Sequence, residues 1–574
     1  MARAMRLAVA YLGLAAFVTA CAAAPPAPGV ASGGSAASPA VAPAMKRVVV
    51  AVLGNLTAVS GLLTPGGTGQ NTPGSTQVES LMSPGLTARS PQGSYVPRLA
   101  EQTPSVDNEL WQVLPDGRMV TTWHIRPNVR WHDGAEFTAD DVLFTAQVGM
   151  DREVPVAHDT RYRYVERVEA PDPLTVTVTW KQPFIVADTM FGSDSTIPLP
   201  RHILGPLYEQ SKTSFINAPY FNREFVGTGP FILKEWADGS HLTLEANDAY
   251  VLGQPHVDQI VVAFIPASET LMTNLVAGAV DVTVGRSISL DQALQLRKQW
   301  PDGHVDVAPD QPVYANPQFL IPDPPIILNV DLRRALYHAI NRQEMADTLT
   351  GGLGTPADSG LPPDDPQYAP LQAQIVRYPY DPQRASQKLA ELGYSRGGDG
   401  LLRDAAGQPL QLPLVSTDTD AYTKSVLAVS DYWQRVGVTT QLDVVPRARE
   451  SDLQYRATFP GFEVVSTGSG IDALDYYRTT ERRTAANGYN GRNRSGYASP
   501  ELELLLDRYY STVPIGDRLN VLGTIVHTLT DQVVGIYLFT QGTPTAINNR
   551  LVSVTGEFSR AQETWNAEQW DVKS

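Results

Sequence analysis

The amino-acid sequence predicts a mixed α/β (α+β) fold that is divided into two or more lobes. Segments with the two-residue period of strands alternate with segments with the 3.6-residue period of helices along the body of the chain. The chain has 574 residues, of which 43% are hydrophobic, and a chain of this length exceeds what one hydrophobic core organises. We therefore expect several separate cores.

The N-terminus has the pattern of a bacterial signal peptide, residues 1–20, followed by a lipidated cysteine. Arg3 and Arg6 precede an apolar run over residues 7–18, which is too short to span a bilayer permanently. Cys21 is the only cysteine of the chain, so no intramolecular disulfide can form. The sequence Val-Thr-Ala-Cys that ends there is similar to the bacterial lipobox, in which the cysteine is acylated. The alternative is an ordinary signal peptide with a coincidental cysteine.

Residues 21–45 should form a flexible tether, because they are almost wholly Ala, Pro, Gly, Ser and Val and offer little large apolar surface. No later run of about eighteen apolar residues exists, so we expect the membrane to be contacted through the lipid only. The net charge of −16 and the pI near 5.0 argue against nucleic acid as a partner, because a protein this acidic repels a phosphate backbone.

Strands and helices are predicted from residue 46 onward. Residues 47–53 form a continuous apolar run, typical of a fully buried strand, and residues 174–180 alternate as a half-buried strand does. Further strands are expected over residues 260–265 and 412–415. Helices are predicted from their caps and apolar stripes over residues 138–148, 268–277, 331–340, 382–392 and 499–509.

The motifs of common enzyme and cofactor sites are missing from the sequence. No zinc-protease, nucleophile-elbow, phosphate-loop or dinucleotide motif occurs, and the nine histidines show no helical pair. His132 and Asp133 are adjacent in an extended segment and should point to opposite faces, which argues against a catalytic dyad. We therefore predict no cofactor, no metal and no catalytic residues. Two carboxylates that meet in three dimensions could still form a hydrolase site, which stays open as an alternative.

Six segments, taken in order, resemble bacterial extracellular solute-binding protein family 5, the peptide- and nickel-binding components of ABC importers. The most specific is Trp123-His-Ile-Arg-Pro-Asn-Val-Arg-Trp-His-Asp-Gly134 with the capped helix start after it, over residues 137–142. The others are residues 226–231, 275–281, 332–342, 380–394 and 495–500. The similarity extends from about residue 46 to the C-terminus.

The resemblance implies a periplasmic-binding-protein-like bilobal clamp of the large three-domain type, which closes by a hinge motion around its solute and is not an enzyme. Domain II would cover residues 89–191 and domain III residues 313–534. Domain I would be discontinuous, over residues 46–88, 192–312 and 535–574. The solute would lie between domains I and III. Peptide-binding members hold their ligand as an added strand through main-chain hydrogen bonds, which does not demand particular side chains.

Site residues follow from the resemblance for one segment. Phe462-Glu-Val-Val-Ser-Thr-Gly-Ser-Gly-Ile-Asp472 is similar to the family segment that supplies a glycine, an aromatic residue and an aspartate for the peptide ammonium group. Gly468 takes the glycine position, Asp472 the acid position, and Ser469 stands where tryptophan is usual. With one insertion or deletion, Asp475 would be the acid. The alternative for Asp472 is a turn or cap residue.

Five further candidates rest on their position after a predicted strand or before a predicted helix. Asn55 follows the first strand, Ser416 and Thr417 follow the strand at 412–415, and Asn493 and Tyr497 precede the helix that begins near Ser499. Any of them could instead be a solvated loop residue.

The sequence therefore predicts a monomeric lipoprotein on the extracytoplasmic side of the cell membrane. It would capture oligopeptides and deliver them to the membrane permease of an ABC importer. Other solutes, such as a nickel chelate, an oligosaccharide or an opine-like compound, remain open because a fold does not fix a ligand. A regulatory lipoprotein that has lost transport is a further alternative, suggested by Ser469 and by Ala473, which stands where the family has tyrosine.

Overall fold

The computed structural model describes residues 45–60, 73–154, 159–363, 365–446, 449, 452–466, 471–557 and 562–573. The predicted signal peptide, Cys21 and the tether up to residue 44 lie outside the described residues, as do Gly468 and Ser469. None of the described helices combines the length and the apolar character that crossing a membrane requires.

The strands are numbered in chain order. They are β1 (Arg47–Leu53), β2 (Thr87–Arg89), β3 (Tyr95–Pro97), β4 (Trp111–Val113), β5 (Met119–His124), β6 (Val165–Asp172), β7 (Thr175–Trp180), β8 (Phe231–Ala237), β9 (His241–Ala246), β10 (Gln259–Ile265), β11 (Val282–Thr283), β12 (Gly303–Pro317), β13 (Thr355–Pro356), β14 (Ser395–Arg396), β15 (Leu402–Arg403), β16 (Gln411–Thr417), β17 (Thr439–Val445), β18 (Phe462–Ser466), β19 (Ile536–Asn548), β20 (Leu551–Val552) and β21 (Asp571–Val572).

The α-helices are numbered in the same way. They are α1 (Ser75–Met82), α2 (Ala139–Met150), α3 (Arg201–Gln210), α4 (Lys212–Ile216), α5 (Ser268–Val276), α6 (Leu290–Gln299), α7 (Val330–His338), α8 (Arg342–Thr350), α9 (Tyr368–Leu371), α10 (Pro382–Glu391), α11 (Asp420–Arg435), α12 (Leu453–Ala457), α13 (Pro500–Ser511) and α14 (Ile515–Asp531). Short 3-10 helices, among them Ile471–Tyr477, connect several of these elements.

The predicted elements appear where their sequence patterns indicate. The strand predicted over residues 47–53 is β1, and the buried run pairs in parallel with β10 along its whole length. Helix α2 begins with the predicted capping box of Thr138 and Asp141. Pro382 is the first residue of α10. Asp381 caps this helix, since its side chain accepts a hydrogen bond from the Arg384 backbone N–H. Local sequence therefore determines the ends of these elements.

One large sheet has two halves that share two long strands. The 11-stranded sheet has the order β17-β16-β18-β12-β19-β11-β1-β10-β9-β8, with β13 added to β19. Strands β12 and β19 pair antiparallel from Gly303 opposite Asn548 to Ala315 opposite Ile536, with register shifts between Pro309 and Pro312 and between Val313 and Tyr314. We call the β1, β8–β11 half the first lobe and the β16–β18 half the second lobe. The ladder of β12 and β19 runs from one lobe into the other.

Each lobe has its own hydrophobic core. In the first lobe, β1 and β10 bury side chains on both faces of the sheet. The second lobe packs α7, α8, α10 and α11 on one face of β16, β18 and β12. A third core joins the separate sheet β4-β5-β7-β6 to helices α13 and α14 and contains Trp123, Trp131 and Trp180. Several cores are thus present, as chain length predicts. The three-domain boundaries given above stay a prediction.

Candidate functional site

A groove lies where the two lobes meet, and we call it the interlobe groove. Its cavity volume is about 230 Å³. The first lobe contributes Arg286 and the start of α6, and the second lobe contributes the end of α8 and the start of α11. Strand β19 forms its floor with Phe539, Gln541, Gly542, Thr543 and Pro544.

An ion pair between Lys424 and Asp291 crosses the interlobe groove. The Lys424 ammonium group on α11 lies 3.4 Å from the Asp291 carboxylate on α6. Both side chains are exposed to solvent, so the pair contributes little to stability, of the order of 0–1 kcal/mol. It is the kind of contact that a lobe movement can make or break without a large energetic cost.

A second and narrower pocket, with a cavity volume of about 60 Å³, lies beside β12 in the second lobe, and we call it the arginine–tyrosine pocket. Its polar wall contains Asn316, four tyrosines and the segment from Arg492 to Ser495. Its apolar wall contains leucine and valine side chains of α14 together with Leu361 and Leu474. The tyrosines are Tyr314, Tyr476, Tyr477 and Tyr537. A pocket with one apolar wall and a few convergent polar groups is typical of a ligand site.

The alternation of side chains along the strands explains how the pocket arises. In β12, Val313 and Ala315 belong to the core of the second lobe, whereas Pro312, Tyr314 and Asn316 line the pocket. Asn316 lies opposite Glu463 of β18, so Glu463 shares the pocket face of the sheet. The same sheet therefore presents an apolar core on one face and a polar pocket on the other.

Glu463 and Arg494 form a buried ion pair at the polar wall. Arg494 donates from its Nε to Glu463 Oε2 at 3.0 Å, and from Nη2 to the other carboxylate oxygen. Their side chains are only 9% and 4% exposed, so the pair is held in a weakly screening environment. Bidentate geometry of this kind is among the stronger charge-assisted contacts in proteins.

Arg483 brings a second positive charge close to this pair. The charges acting on it are those of Arg494, Glu463 and Arg456. Burial, followed by repulsion from Arg494, lowers the pKa of the Arg483 guanidinium to about 10. Its Nε donates to the Gly491 carbonyl at 2.8 Å, and its Nη1 has no hydrogen-bond partner within the described part of the chain. One acid thus faces two arginines.

The tyrosine hydroxyls form the other polar feature of the pocket. The hydroxyls of Tyr477 and Tyr537 lie 3.1 Å apart, and the rings of Tyr314 and Tyr537 are 5.5 Å apart between centroids. Burial raises the pKa of Tyr477 and of Tyr537. Both phenols are therefore neutral at physiological pH and serve as hydrogen-bonding groups.

Among the predicted site residues whose side chains the structure describes, Asn493 alone lines the arginine–tyrosine pocket. Its amide donates to the carbonyls of Arg478 and Tyr497, and its carbonyl oxygen accepts from Ser495 and the Gly496 backbone. Asn493 therefore holds the wall of the pocket in shape. The predicted residue Tyr497 lies outside the lining of both pockets and packs on Phe319, with 5.0 Å between ring centroids.

The other positional candidates divide between the two faces of the sheet and the surface. Ser416 and Thr417 lie within β16 rather than after it, because the strand continues two residues beyond the predicted end. Ser416 follows the core residues Leu412 and Leu414 on one face, and Thr417 takes the opposite face, which Glu463 shares. Asn55 is exposed after β1.

The predicted amine-binding segment is described only in part. Asp472 lies in the 3-10 helix Ile471–Tyr477, and its side chain is outside the described positions, as are Gly468 and Ser469. The alternative acid, Asp475, pairs with Arg478 at 2.7 Å. Ala473 and Leu474, which directly follow Asp472 in this 3-10 helix, line the arginine–tyrosine pocket. The candidate residues of this segment stay a prediction.

His132 and Asp133 have different partners, as their alternation predicts. The His132 ring lies within hydrogen-bond distance of the Gly229 carbonyl and the Gly227 backbone N–H, and burial lowers its pKa to about 4. Asp133 contacts His202 instead, at 2.7 Å. The two side chains do not form a catalytic dyad with each other.

The arginines of the pocket belong to none of the motifs recognised in the sequence. Their signal in the sequence is a basic stretch within an acidic chain. Residues 478–494 contain Arg478, Arg482, Arg483, Arg492 and Arg494 against a single acid, Glu481. A charge run of one sign often marks a binding surface, but the partner Glu463 lies on a strand more than a dozen residues earlier and only the fold brings it to Arg494.

Comparison with known proteins identifies a family for the chain. The model of the family described as "Bacterial extracellular solute-binding proteins, family 5 Middle" matches residues 94–490. Oligopeptide-binding protein AppA of Bacillus subtilis is 26% identical over 343 residues, 58% of this chain and 59% of AppA. Heme-binding protein A of Haemophilus influenzae is 26% identical over 368 residues, 60% of this chain and 63% of that protein. Each alignment thus spans less than two thirds of the relative.

Solved structures share the fold over most of the chain. AppA of Bacillus subtilis, solved in complex with a nonapeptide, has a TM-score of 0.69 at 20% identity and covers 92% of this chain and 100% of its own. NikZ of Campylobacter jejuni, solved in complex with Ni(L-His), has a TM-score of 0.70 at 18% identity and covers 92% and 99%. These likenesses confirm the predicted mixed α/β fold of the solute-binding-protein type.

Proposed function

Because the chain belongs to family 5 of the bacterial extracellular solute-binding proteins, a family of binding proteins rather than enzymes, we propose that it captures oligopeptides for an ABC importer. Capture takes place outside the cytoplasm, in the interlobe groove, and the loaded protein delivers its solute to the membrane permease. The predicted lipid on Cys21 and the tether of residues 21–45 keep the protein at the membrane surface, where the permease lies.

The observation that carries this proposal is the interlobe groove. Separate lobes with separate cores face each other across it, and the β12–β19 ladder passes from one to the other. Register shifts in that ladder fall near Pro309 and Tyr314, where the strands leave one lobe for the other. Such irregularities interrupt a rigid hydrogen-bond ladder and fit a connection that bends when the lobes close.

An extended peptide suits a groove of this construction. Main-chain groups of a peptide can pair with exposed strand or loop groups, which gives affinity without demanding one side-chain sequence. The relative AppA was solved with a nonapeptide, and that ligand supports the peptide class for this chain. The open volume of the groove favours capture over the regulatory alternative, which calls for a cleft filled by the protein's own side chains.

A peptide-dependent thermal shift tests the proposal. The protein is purified without a tag, native mass spectrometry establishes which copies carry a co-purified solute, and ligand-free protein is screened against a mixture of tetra- to nonapeptides. We expect peptides to raise the melting temperature, because a ligand that binds only the folded state stabilises it by mass action. The peptide assignment fails if no peptide raises it while a nickel chelate, heme or an oligosaccharide does.

A bulky substitution at the groove floor locates the binding site. Gln541→Trp places an indole in the interlobe groove and should abolish the peptide-dependent shift. Gln387→Trp is the matched control, because Gln387 is exposed on α10 and its side chain donates to Glu391 of the same helix. A shift that survives in Gln541→Trp would place the peptide elsewhere.

A further inference from the structure

The large sheet ends in two edge strands, β17 in the second lobe and β8 in the first lobe. An edge strand presents unpaired N–H and C=O groups to which another strand can add, and proteins usually protect it with charges, proline, an irregular register or short length. Strand β8 contains Lys234 and Glu235, and its register with β9 shifts between Leu233 and Glu235. In the separate four-stranded sheet, the edge strand β4 has three residues, and the edge strand β6 contains charges, Pro171 and register shifts. These three edges are therefore poor templates for another strand.

Strand β17 lacks these protections. It pairs with β16 in one uninterrupted register from Thr439 to Val445. It contains no proline, and Asp443 is its single charged residue. Four consecutive residues, Gln441 to Val444, are exposed. Among the edges of the two larger sheets that the structure describes, β17 is thus the most open to pairing.

The unpaired backbone groups of β17 belong to Thr440, Leu442 and Val444. The Thr439 N–H donates to the Leu410 carbonyl at 2.9 Å, so the odd-numbered residues of the strand bond to β16, since alternate residues of a parallel strand face its neighbour. The three residues between them direct their N–H and C=O groups away from β16. No described strand lies on that side. Each of the three residues therefore offers one donor and one acceptor to an added strand.

An exposed apolar strip accompanies these backbone groups. Leu442 and Val444 are 41% and 36% exposed, and Leu427 of α11 is 52% exposed. The hydroxyl groups of Thr440 and of Ser430 on α11 lie 2.5 Å apart, so Thr440 and the residues that alternate with it share the face on which α11 packs. Leu427 lies one helical turn from Ser430. An apolar strip beside an open strand edge is typical of an interaction surface.

Strand β17 is complementary to itself in one antiparallel register. In the register that places Leu442 opposite Leu442 of a second copy, Thr440 lies opposite Val444. The N–H and C=O groups that each copy directs outward then meet those of the other copy. On the opposite face, Gln441 lies opposite Asp443, so the single acid of the strand meets an amide and no like charges face each other. This complementarity favours a second copy of the chain as the partner.

We propose that two copies of the protein associate along β17 in this register, which joins their two large sheets into one. Such a contact uses the same surface on both copies and closes as a two-fold dimer. The surface is separate from the residues that line the interlobe groove and the arginine–tyrosine pocket, so association does not depend on the proposed solute. The monomer predicted from the sequence is then the dilute form, and the predicted anchoring at one membrane raises the local concentration of copies.

Sedimentation velocity of the full protein over a concentration series tests the inference. We expect the sedimentation coefficient to rise with concentration toward the value of a dimer, because a contact made by one pair of strands is small and reversible. A coefficient that stays at the value of a monomer throughout the series overturns the inference.

Opposite charges at position 442 test the register. Leu442→Lys and Leu442→Glu each place two like charges opposite each other, so each variant alone should dimerise at least about tenfold more weakly. An equimolar mixture of the two variants should associate again, because a lysine then faces a glutamate. Association that either variant leaves unchanged, or a mixture that stays monomeric, contradicts the proposed contact.

Leu504→Lys is the matched control. Leu504 is an exposed apolar residue of α13, so this variant makes the same chemical change on another element and should dimerise as the unaltered protein does. Leu442 is exposed as well, and both of its charged variants should therefore keep the melting temperature of the unaltered protein at low concentration. Equal weakening by Leu504→Lys and Leu442→Lys would show that association does not depend on β17.

Discussion

At the scale of single residues, the second lobe depends on a buried ion pair whose two members come from different parts of the chain. Glu463 lies on β18 and Arg494 in the loop before α13. The pair joins the sheet to the loop that walls the arginine–tyrosine pocket. Removing one partner of such a pair leaves a buried charge uncompensated, which costs far more than losing an exposed pair.

Glu463→Gln is therefore expected to lower the free energy of unfolding by about 3–5 kcal/mol, since Arg494 and Arg483 would then repel each other without an intervening acid. Thermal unfolding followed by circular dichroism measures the effect. Asp431→Asn is the matched control, because its pair with Arg435 is more than half exposed and should cost at most about 1 kcal/mol. Equal losses in the two variants would show that the buried pair is not structural.

Asp188 gives a prediction about pH. Burial raises the pKa of its carboxyl group from 3.8 to about 6, against the opposing charges of Arg518, Arg161 and Arg89. The folded state therefore favours the protonated form. Burying the ionised Asp188 carboxylate lowers the free energy of unfolding. This loss is absent below pH 3.8, grows as the pH rises toward 6, and is complete above pH 6.

Asp188→Asn should raise the melting temperature above pH 6 and leave it unchanged below pH 3.8, because the amide has no charge to bury. A pH series of melting temperatures checks this. Asp302→Asn, at an exposed position, serves as the control. A gain in stability for Asp188→Asn that is the same at every pH would contradict the titration account.

The residue scale also shows what the sequence cannot reveal. Asn493 could be predicted as a site residue from its position before a helix, and it lines the arginine–tyrosine pocket. Glu463 and Asn316 carry no motif, because their role arises only when β12 pairs with β18. Local periodicity does not show which distant strands pair. The roles of Glu463 and Asn316 are therefore visible only in the three-dimensional structure.

At the scale of elements, the beginning of β18 depends on a glycine. Gly461 has a φ of +66°, and a Cβ atom there would lie 2.2 Å from the carbonyl oxygen of Pro413 in the neighbouring strand β16. Only glycine fits both the left-handed backbone and the close approach. This position thus determines where β18 starts and which face Glu463 takes.

Gly461→Ala should destabilise the protein by more than Gly407→Ala does. Both glycines have positive φ, and the backbone conformation alone costs alanine roughly 1–2 kcal/mol. A Cβ at Gly407 meets open space, whereas at Gly461 the clash adds about 1–3 kcal/mol. Thermal unfolding of the two variants makes the comparison, and losses of equal size would refute the packing argument.

Elements with strong local signals were predictable from sequence. The bounds of β1 agree with the apolar run, and the capping residues place α2, α10 and α13. The predicted end of β16 at Val415 was wrong by two residues, because Ser416 and Thr417 are polar and the pattern gives polar residues to loops. They remain in the strand since β17 and β18 pair with it on both sides.

At the scale of the whole molecule, separate cores and one shared pair of strands define the two-lobed architecture. Chain length predicts more than one core, and the family resemblance predicts the solute-binding-protein fold that the solved structures share. Neither predicts which solute fits. That choice depends on the charges and shapes brought together by the interlobe groove and the arginine–tyrosine pocket.

Small-angle X-ray scattering with and without a saturating solute tests whether the two lobes close, because closure around a solute makes the protein more compact. We expect a smaller radius of gyration in the loaded protein and the original value once the solute is removed. A radius of gyration that stays the same while calorimetry shows full occupancy would contradict capture by closure of the lobes.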